Sequence, residues 1–166
     1  GKAYATSGGL HGVGSSVVNA LSSELVVKVF KDKEEYEQTY SRGKVTSKLK
    51  KLGKTDKKGT QVTFVPDTEI FGSDVNYDPA VVYKTIKSKA YLFKGVEIKW
   101  SVDSELIKGK KDVPETDIIK FPGGILDYLN LMVEGKTSIA SKAFYGNVDF
   151  PDDEGRVEYA IAWVEE

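Results

Sequence analysis

The stretch GGLHGVGSSVVNALS, Gly8 to Ser22, places four glycines and the only histidine of the chain within seven residues, then runs straight into small and apolar side chains. Gly8, Gly9, Gly12 and Gly14 allow a backbone with φ > 0 and no Cβ in the way. From Ser15 to Ser23 the pattern reads as a short helix with Val17, Val18, Ala20 and Leu21 on its buried side. Such a loop can turn backbone N–H groups toward an anion at the favourable end of the helix dipole. It can equally be an ordinary connection, because glycine-rich turns commonly precede helices. Two phosphate-loop templates fail on spacing. A dinucleotide fingerprint needs G-x-G-x-x-G after an apolar strand, whereas Gly9, Gly12 and Gly14 follow the polar KAYATS. A P-loop needs a lysine beside Ser or Thr after its last glycine, and here Gly14 meets Ser15 and Ser16. With no cysteine and no second histidine to join His11, no metal site is expected.

The rest of the chain is consistent with a globular α+β protein. It has 166 residues, 40% of them hydrophobic, and a net charge of -1, which gives no overall pull toward nucleic acid or membrane. No run approaches the roughly 18 apolar residues of a membrane span, and GKAYATSGG has no apolar signal core. Without cysteine there are no disulfides, and the expected location is cytoplasmic, with no membrane partner. Charge is uneven, however. KVTSKLKKLGKTDKK, Lys44 to Lys58, carries seven lysines against one aspartate, while PDDEGRVEYAIAWVEE is acidic. A solvated hairpin is the ordinary reading of such a basic run, and a phosphate-facing patch is the alternative.

Alternation and capping give the order of elements. LVVKVFKD, Leu25 to Asp32, reads as a strand, and EEYEQTYSRG and KVTSKLKKLG as two more joined at Arg42 and Gly43. GTQVTFVPD, Gly59 to Asp67, sets Val62 and Phe64 on one face against Thr63 and Val65 on the other, and Pro66 stops it. Asp78 as N-cap and Pro79 at the first position open a helix that carries Val82, Ile86, Ala90 and Phe93 and ends at Gly95. GVEIKWSVD is a further strand; after the polar KGKKDVPETD, FPGG leads into the helix ILDYLNLMVEG, closed by Gly135. KAFYGNVDF and RVEYAIAWVEE flank the acidic turn PDDEG, and residues 155–166 are taken as the first strand of a second domain after a first spanning 1–154.

Taken together, these segments resemble a known family. GGLHGVGSSVVNALS looks like the signature of the ATPase subunits of bacterial type II DNA topoisomerases, the gyrase B and topoisomerase IV B family, which share the GHKL (Bergerat) fold. KKGTQVTFVPD resembles that family's G-T-x-V-x-F strand, SKAYLFKGVEIKW its R-A-[YF]-L-x-x-G-V-x-I motif, and FPGGILDYLN its F-x-G-G-[IL]-x-[DE]-[YF] motif. KAYLFKGVEIKWS with the short DVPETDIIKFPGG is closer to the topoisomerase IV branch than to gyrase, which remains the alternative. Another GHKL ATPase, or a non-enzymatic α+β interaction module, are the remaining readings.

The resemblance implies a two-layer sandwich of mixed sheet and helices, lacking its N-terminal part, with the start of the transducer domain at the C-terminus. It implies ATP and Mg2+ as cofactors. Gly8, Gly9, Leu10, His11, Gly12, Val13 and Gly14 would wrap the triphosphate through backbone amides. The Thr60 hydroxyl would reach the adenine side through a water, with Gly59 permitting close approach, and Ser15 would stand at the rim. Lys31 would occupy the pocket mouth where relatives carry arginine, without the planar guanidinium that stacks. The resemblance also implies that the water-activating glutamate, the magnesium-binding asparagine and the adenine-reading aspartate lie upstream of Gly1, and none of Glu24, Glu34 or Glu35 lies on the matching motif. No catalytic residue is therefore expected in this chain. The implied partners are DNA, the topoisomerase IV A subunit in a heterotetramer, and a second copy of the ATPase subunit in an ATP-dependent homodimer.

Overall fold

β-Branched residues in alternation build the first unit around one long strand. The computed structural model describes residues 12–151 and 155–165. The chain divides into a unit up to Asn76 and another from Tyr77. In the first, helix α1 (Gly14–Ala20) leads into β1 (Ser22–Lys31), followed by β2 (Glu34–Ser41), β3 (Lys44–Val45), β4 (Lys50–Lys54), β5 (Gly59–Pro66) and the short α2 (Thr68–Phe71). The sheet runs β3-β2-β1-β5 with β4 also paired to β2, and every one of its ladders is antiparallel. Asp32 and Lys33 turn β1 into β2 with φ of 54° and 63°, the left-handed pair that a two-residue hairpin needs.

The helix expected from Ser15 to Ser23 ends at Ala20, because Ser22 already pairs with Pro66 as the first residue of β1, and two further features of this unit depart from the sequence reading. The single strand expected across Lys44 to Gly53 is split into β3 and β4. Between them the Thr46 N–H still donates to the Thr39 carbonyl at 2.9 Å, but at Ser47 the bonds run through side chains: the Thr39 N–H donates to Ser47 Oγ at 3.0 Å and the Gln38 amide to the Ser47 carbonyl at 3.3 Å. The second concerns α1, whose expected buried side is only partly covered. Val18 is half-buried, but Val17 is 47% exposed and Ala20 is exposed as well. The main contacts of α1 are with β1 and β2. Leu25 and Phe30 are the buried apolar side chains of this unit.

The second unit opens as its caps dictate. The Asp78 carboxylate accepts the Ala80 N–H at 3.0 Å, Pro79 takes the first turn, and α3 runs Pro79–Leu92. Next come β6 (Glu97–Ser101), a 3₁₀ turn (Ser104–Ile107), β7 (Thr116–Lys120), α4 (Ile125–Met132) and the hairpin β8 (Phe144–Asp149) to β9 (Arg156–Ile161). Strand β7 is absent from the sequence reading, because TDIIK has two adjacent isoleucines and no alternation. It forms by pairing with β6, Ile98 opposite Ile119, while Asp117 accepts the Tyr83 hydroxyl at 2.6 Å. The small helices at residues 68 and 104 were not expected either; each is capped by the aspartate before it, Asp67 and Asp103, through the N–H of Glu69 and Glu105. Ala90, Val113 and Ile119 form the buried centre. Among the described residues no helix is long and apolar enough to cross a membrane.

Candidate functional site

The register between β1 and β5 places the expected binding residues. Val29 lies opposite Thr60, Val27 opposite Val62 and Leu25 opposite Phe64. Cross-strand partners share a face and alternate residues repeat on it, so these six side chains form one stripe along the sheet. At its Leu25 end, Ser15, Ser16 and Asn19 of α1 meet Leu25, Val27, Tyr40, Val62 and Phe64 around a cleft of about 380 Å³. At its other end Lys31, Gly59 and Thr60 border a second cleft of about 680 Å³, with Lys33, Lys57 and Lys58 among its other walls. Both volumes lie in the range of small-molecule sites.

The expected residues therefore fall into two groups. Lys31, Gly59 and Thr60 come together in one cleft, and Ser15 lies in the other, with the stripe Thr60-Val62-Phe64 running between. Val62 and Phe64 are 52% and 40% exposed, so the middle of the stripe is an apolar surface open to a planar group. The sequence alternation names Val62 and Phe64 as sharing a face, but it does not identify that face as the site. Gly12, Val13 and Gly14 stand at the front of α1 and border neither cleft. Gly8, Gly9, Leu10 and His11 lie outside the described residues.

The glycines differ in why glycine is needed. Gly12 has φ of 65° and Gly59 φ of 126°, both strained for any residue with a Cβ. Close approach does not explain Gly59, since a Cβ there would meet nothing within 4 Å. Gly14 has no left-handed φ and serves as the first helical residue. Val13 is the N-cap of α1, and no side chain caps that end. Asn19, in the wall of the smaller cleft, has a buried side-chain oxygen without a hydrogen-bond partner.

Charge at the hairpin side is organised by β2. Glu34 is held below the ordinary carboxylate range by hydrogen bonds from Lys51 and then Tyr36, while Glu35 raises the pKa of Lys28. Among the described residues no three acidic or histidine side chains gather to hold a metal ion.

No protein-family model matches the chain. It is 47% identical over 164 residues to the DNA topoisomerase 4 B subunit of Bartonella bacilliformis, covering 98% of this chain and 24% of that protein. With the corresponding protein of Caulobacter vibrioides it shares 46% over 163 residues, 98% of this chain and 23% of the relative. The DNA gyrase B subunit of Thermotoga maritima is 41% identical over 136 residues, 82% of this chain and 20% of that protein. The chain thus spans about a quarter of the length of the curated relatives it matches. Among solved structures, the 43K ATPase domain of Thermus thermophilus gyrase B in complex with an aminocoumarin superposes with a TM-score of 0.71 at 30% identity, covering 86% of this chain and 37% of that one.

Proposed function

We propose, on the premise that this chain is homologous along 98% of its length to one segment of bacterial topoisomerase IV B subunits, that it works as part of the ATP-binding region of such a protein. Its fold is of the GHKL type, as in the gyrase B ATPase domain. The observation that carries the proposal is the stripe Thr60-Val62-Phe64 on one sheet face: an apolar floor, a hydroxyl at one end and Ser15, Ser16 and Asn19 of α1 at the other.

In this reading the adenine rests on the apolar floor, with the Thr60 hydroxyl toward its polar edge. The backbone amides of Gly8 to Gly14 take the triphosphate, and Lys31, Gly59 and Ser15 form the rim. Magnesium would enter with the triphosphate and supply charge neutralisation. Among the described residues no three acidic or histidine side chains gather, and none is assigned to it. ATP binding would close the protein and pair it with a second copy, and hydrolysis would reset it while the partner A subunit cuts and reseals DNA. Binding energy would thereby shift a two-state gate.

The topoisomerase IV reading over gyrase is supported by the higher identity, over more of the chain, to the Bartonella and Caulobacter topoisomerase 4 subunits. The test combines the full protein that carries this segment with its A subunit and interlinked DNA circles. ATP-dependent unlinking is expected. ATP-dependent introduction of negative supercoils would assign the chain to gyrase instead, and no ATP-dependent change in DNA linkage would overturn the proposal.

A further inference from the structure

The outer side of β2 carries only β3 and β4, and the sequence loads both with lysine. Residues 44–58 hold seven lysines and one acid, Asp56, and all seven lysines are exposed. The acids of β2 are already engaged. Glu34 takes Lys51 and the Tyr36 hydroxyl, while Glu35 and Glu37 both face Lys28, at 3.2 and 3.6 Å. Among the described residues Lys44, Lys48, Lys50 and Lys54 pair with no carboxylate.

These four cations are spread along an edge. Lys54 sits opposite Glu34 and Lys44 opposite Ser41, which at about 3.3 Å per residue spaces them over roughly 23 Å. Duplex DNA presents one negative charge per about 1.7 Å of axis, so an edge of that length meets many phosphates without needing any particular register. An added peptide strand fits less well. The edge is broken into a two-residue β3 and a five-residue β4, with a register shift at Glu35 and Tyr36, and short, irregular, lysine-bearing edges resist strand addition.

We propose that the β3–β4 rim is a binding surface for the phosphate backbone of duplex DNA. Lysines act there as point charges and position the duplex without reading bases. The choice of DNA as the polyanion rests on the topoisomerase reading above; the charge geometry does not.

The test is fluorescence anisotropy of a labelled duplex of mixed sequence, without nucleotide, over a salt series. The full chain is compared with a triple variant, Lys48→Ala with Lys50→Ala and Lys54→Ala, and with the same three positions changed to arginine. Four phosphate contacts predict an affinity loss of roughly 150-fold between about 50 and 200 mM salt, and the alanine variant, with one contact left, roughly 3- to 4-fold. The arginine variant keeps the wild-type salt dependence. Lys48→Ala alone, outside both strands, lowers the salt slope by about 0.9 and covers the case in which the triple variant does not fold.

An unchanged slope in the alanine variants overturns the proposal. So does equal loss in the alanine and arginine variants, or tighter binding of polyglutamate than of the duplex. An ATP titration of the full protein that carries this segment, with and without the same substitutions, keeps the two readings apart. Absent nucleotide binding with the DNA slope intact sinks the ATPase reading alone, and the reverse result sinks the rim alone.

Discussion

Arg42 holds the buried carboxylate of Asp67 from 25 residues earlier in the chain. Its Nε lies 2.6 Å from Oδ2 and its Nη2 donates to Oδ1 at 3.2 Å, while Asp67 is only 2% exposed. Oδ1 also accepts the Glu69 N–H at 3.0 Å, and the same guanidinium reaches Glu69 at 2.7 Å. Arg42 stands at φ of 51° in the turn after β2, so one side chain ties that turn to the exit of β5 and the cap of α2.

Replacing Asp67 with alanine removes both the cap and the ion pair. The expected cost is about 2 kcal/mol, below that of a fully buried pair because the Arg42 side chain can turn to water. Asp67→Asn keeps the cap and loses less. Urea unfolding of the two variants beside the wild type checks this, and equal midpoints for all three would contradict it.

Gly124 has φ of 63°, and a Cβ there would collide with Cε and Cγ of Lys94. Gly124→Ala should cost about 1 kcal/mol through the backbone alone. It should also push Lys94 away from Tyr145 and Glu158, each now 2.6 Å from its Nζ. Thermal melting reads the first effect. A loss of the Lys94 contacts, seen as a rise of the Glu158 pKa by NMR, reads the second.

Glu158 is held below its ordinary value of 4.5, first by the hydrogen bond from Lys94 and then by that from Tyr145. A carboxylate whose folded pKa is depressed contributes stability that is present above the unfolded pKa and lost as pH falls through the folded one. Lys94→Ala should therefore flatten the acid limb of the stability curve below about pH 4.5. Tyr145→Phe should shift it in the same direction by less. An acid limb with the wild-type slope in Lys94→Ala would rule this coupling out.

Tyr83 is pushed up to about 12 by burial and then by its hydrogen bond to Asp117. The unfolded state loses this proton first, near pH 10, so stability falls as pH rises from the unfolded value of 10 toward the folded value. Tyr83→Phe removes that proton and should lessen the fall. Alkaline unfolding followed by circular dichroism, with tyrosinate absorbance read in parallel, decides the point.

If Thr60 orients the adenine through its hydroxyl, Thr60→Val should weaken ATP binding by about 5-fold, the worth of one modest hydrogen bond. Calorimetric titration of the full ATP-binding protein measures it. Lys31→Arg, which adds a planar group at the rim of the same cleft, should leave affinity unchanged or improve it. Weaker binding in Lys31→Arg would remove that residue from the nucleotide rim.

Short-range chemistry is legible in the sequence. The Asp78-Pro79 start of α3, the Arg42-Gly43 turn and the alternation of Gly59 to Pro66 are settled by caps, φ preferences and side-chain period, each acting over a few residues. The four-motif resemblance likewise needs only the order of local patterns. What the tertiary structure decides is everything that depends on a partner strand. TDIIK becomes β7 only by pairing with β6, and Lys44 to Gly53 becomes two strands because Thr39 and Gln38 bind Ser47. Lys31 and Thr60 lie 29 residues apart, yet border one cleft because β1 and β5 run antiparallel with Val29 opposite Thr60. A residue's own neighbours in the chain determine its backbone; its neighbours across the sheet, brought there by register, determine what site it can join.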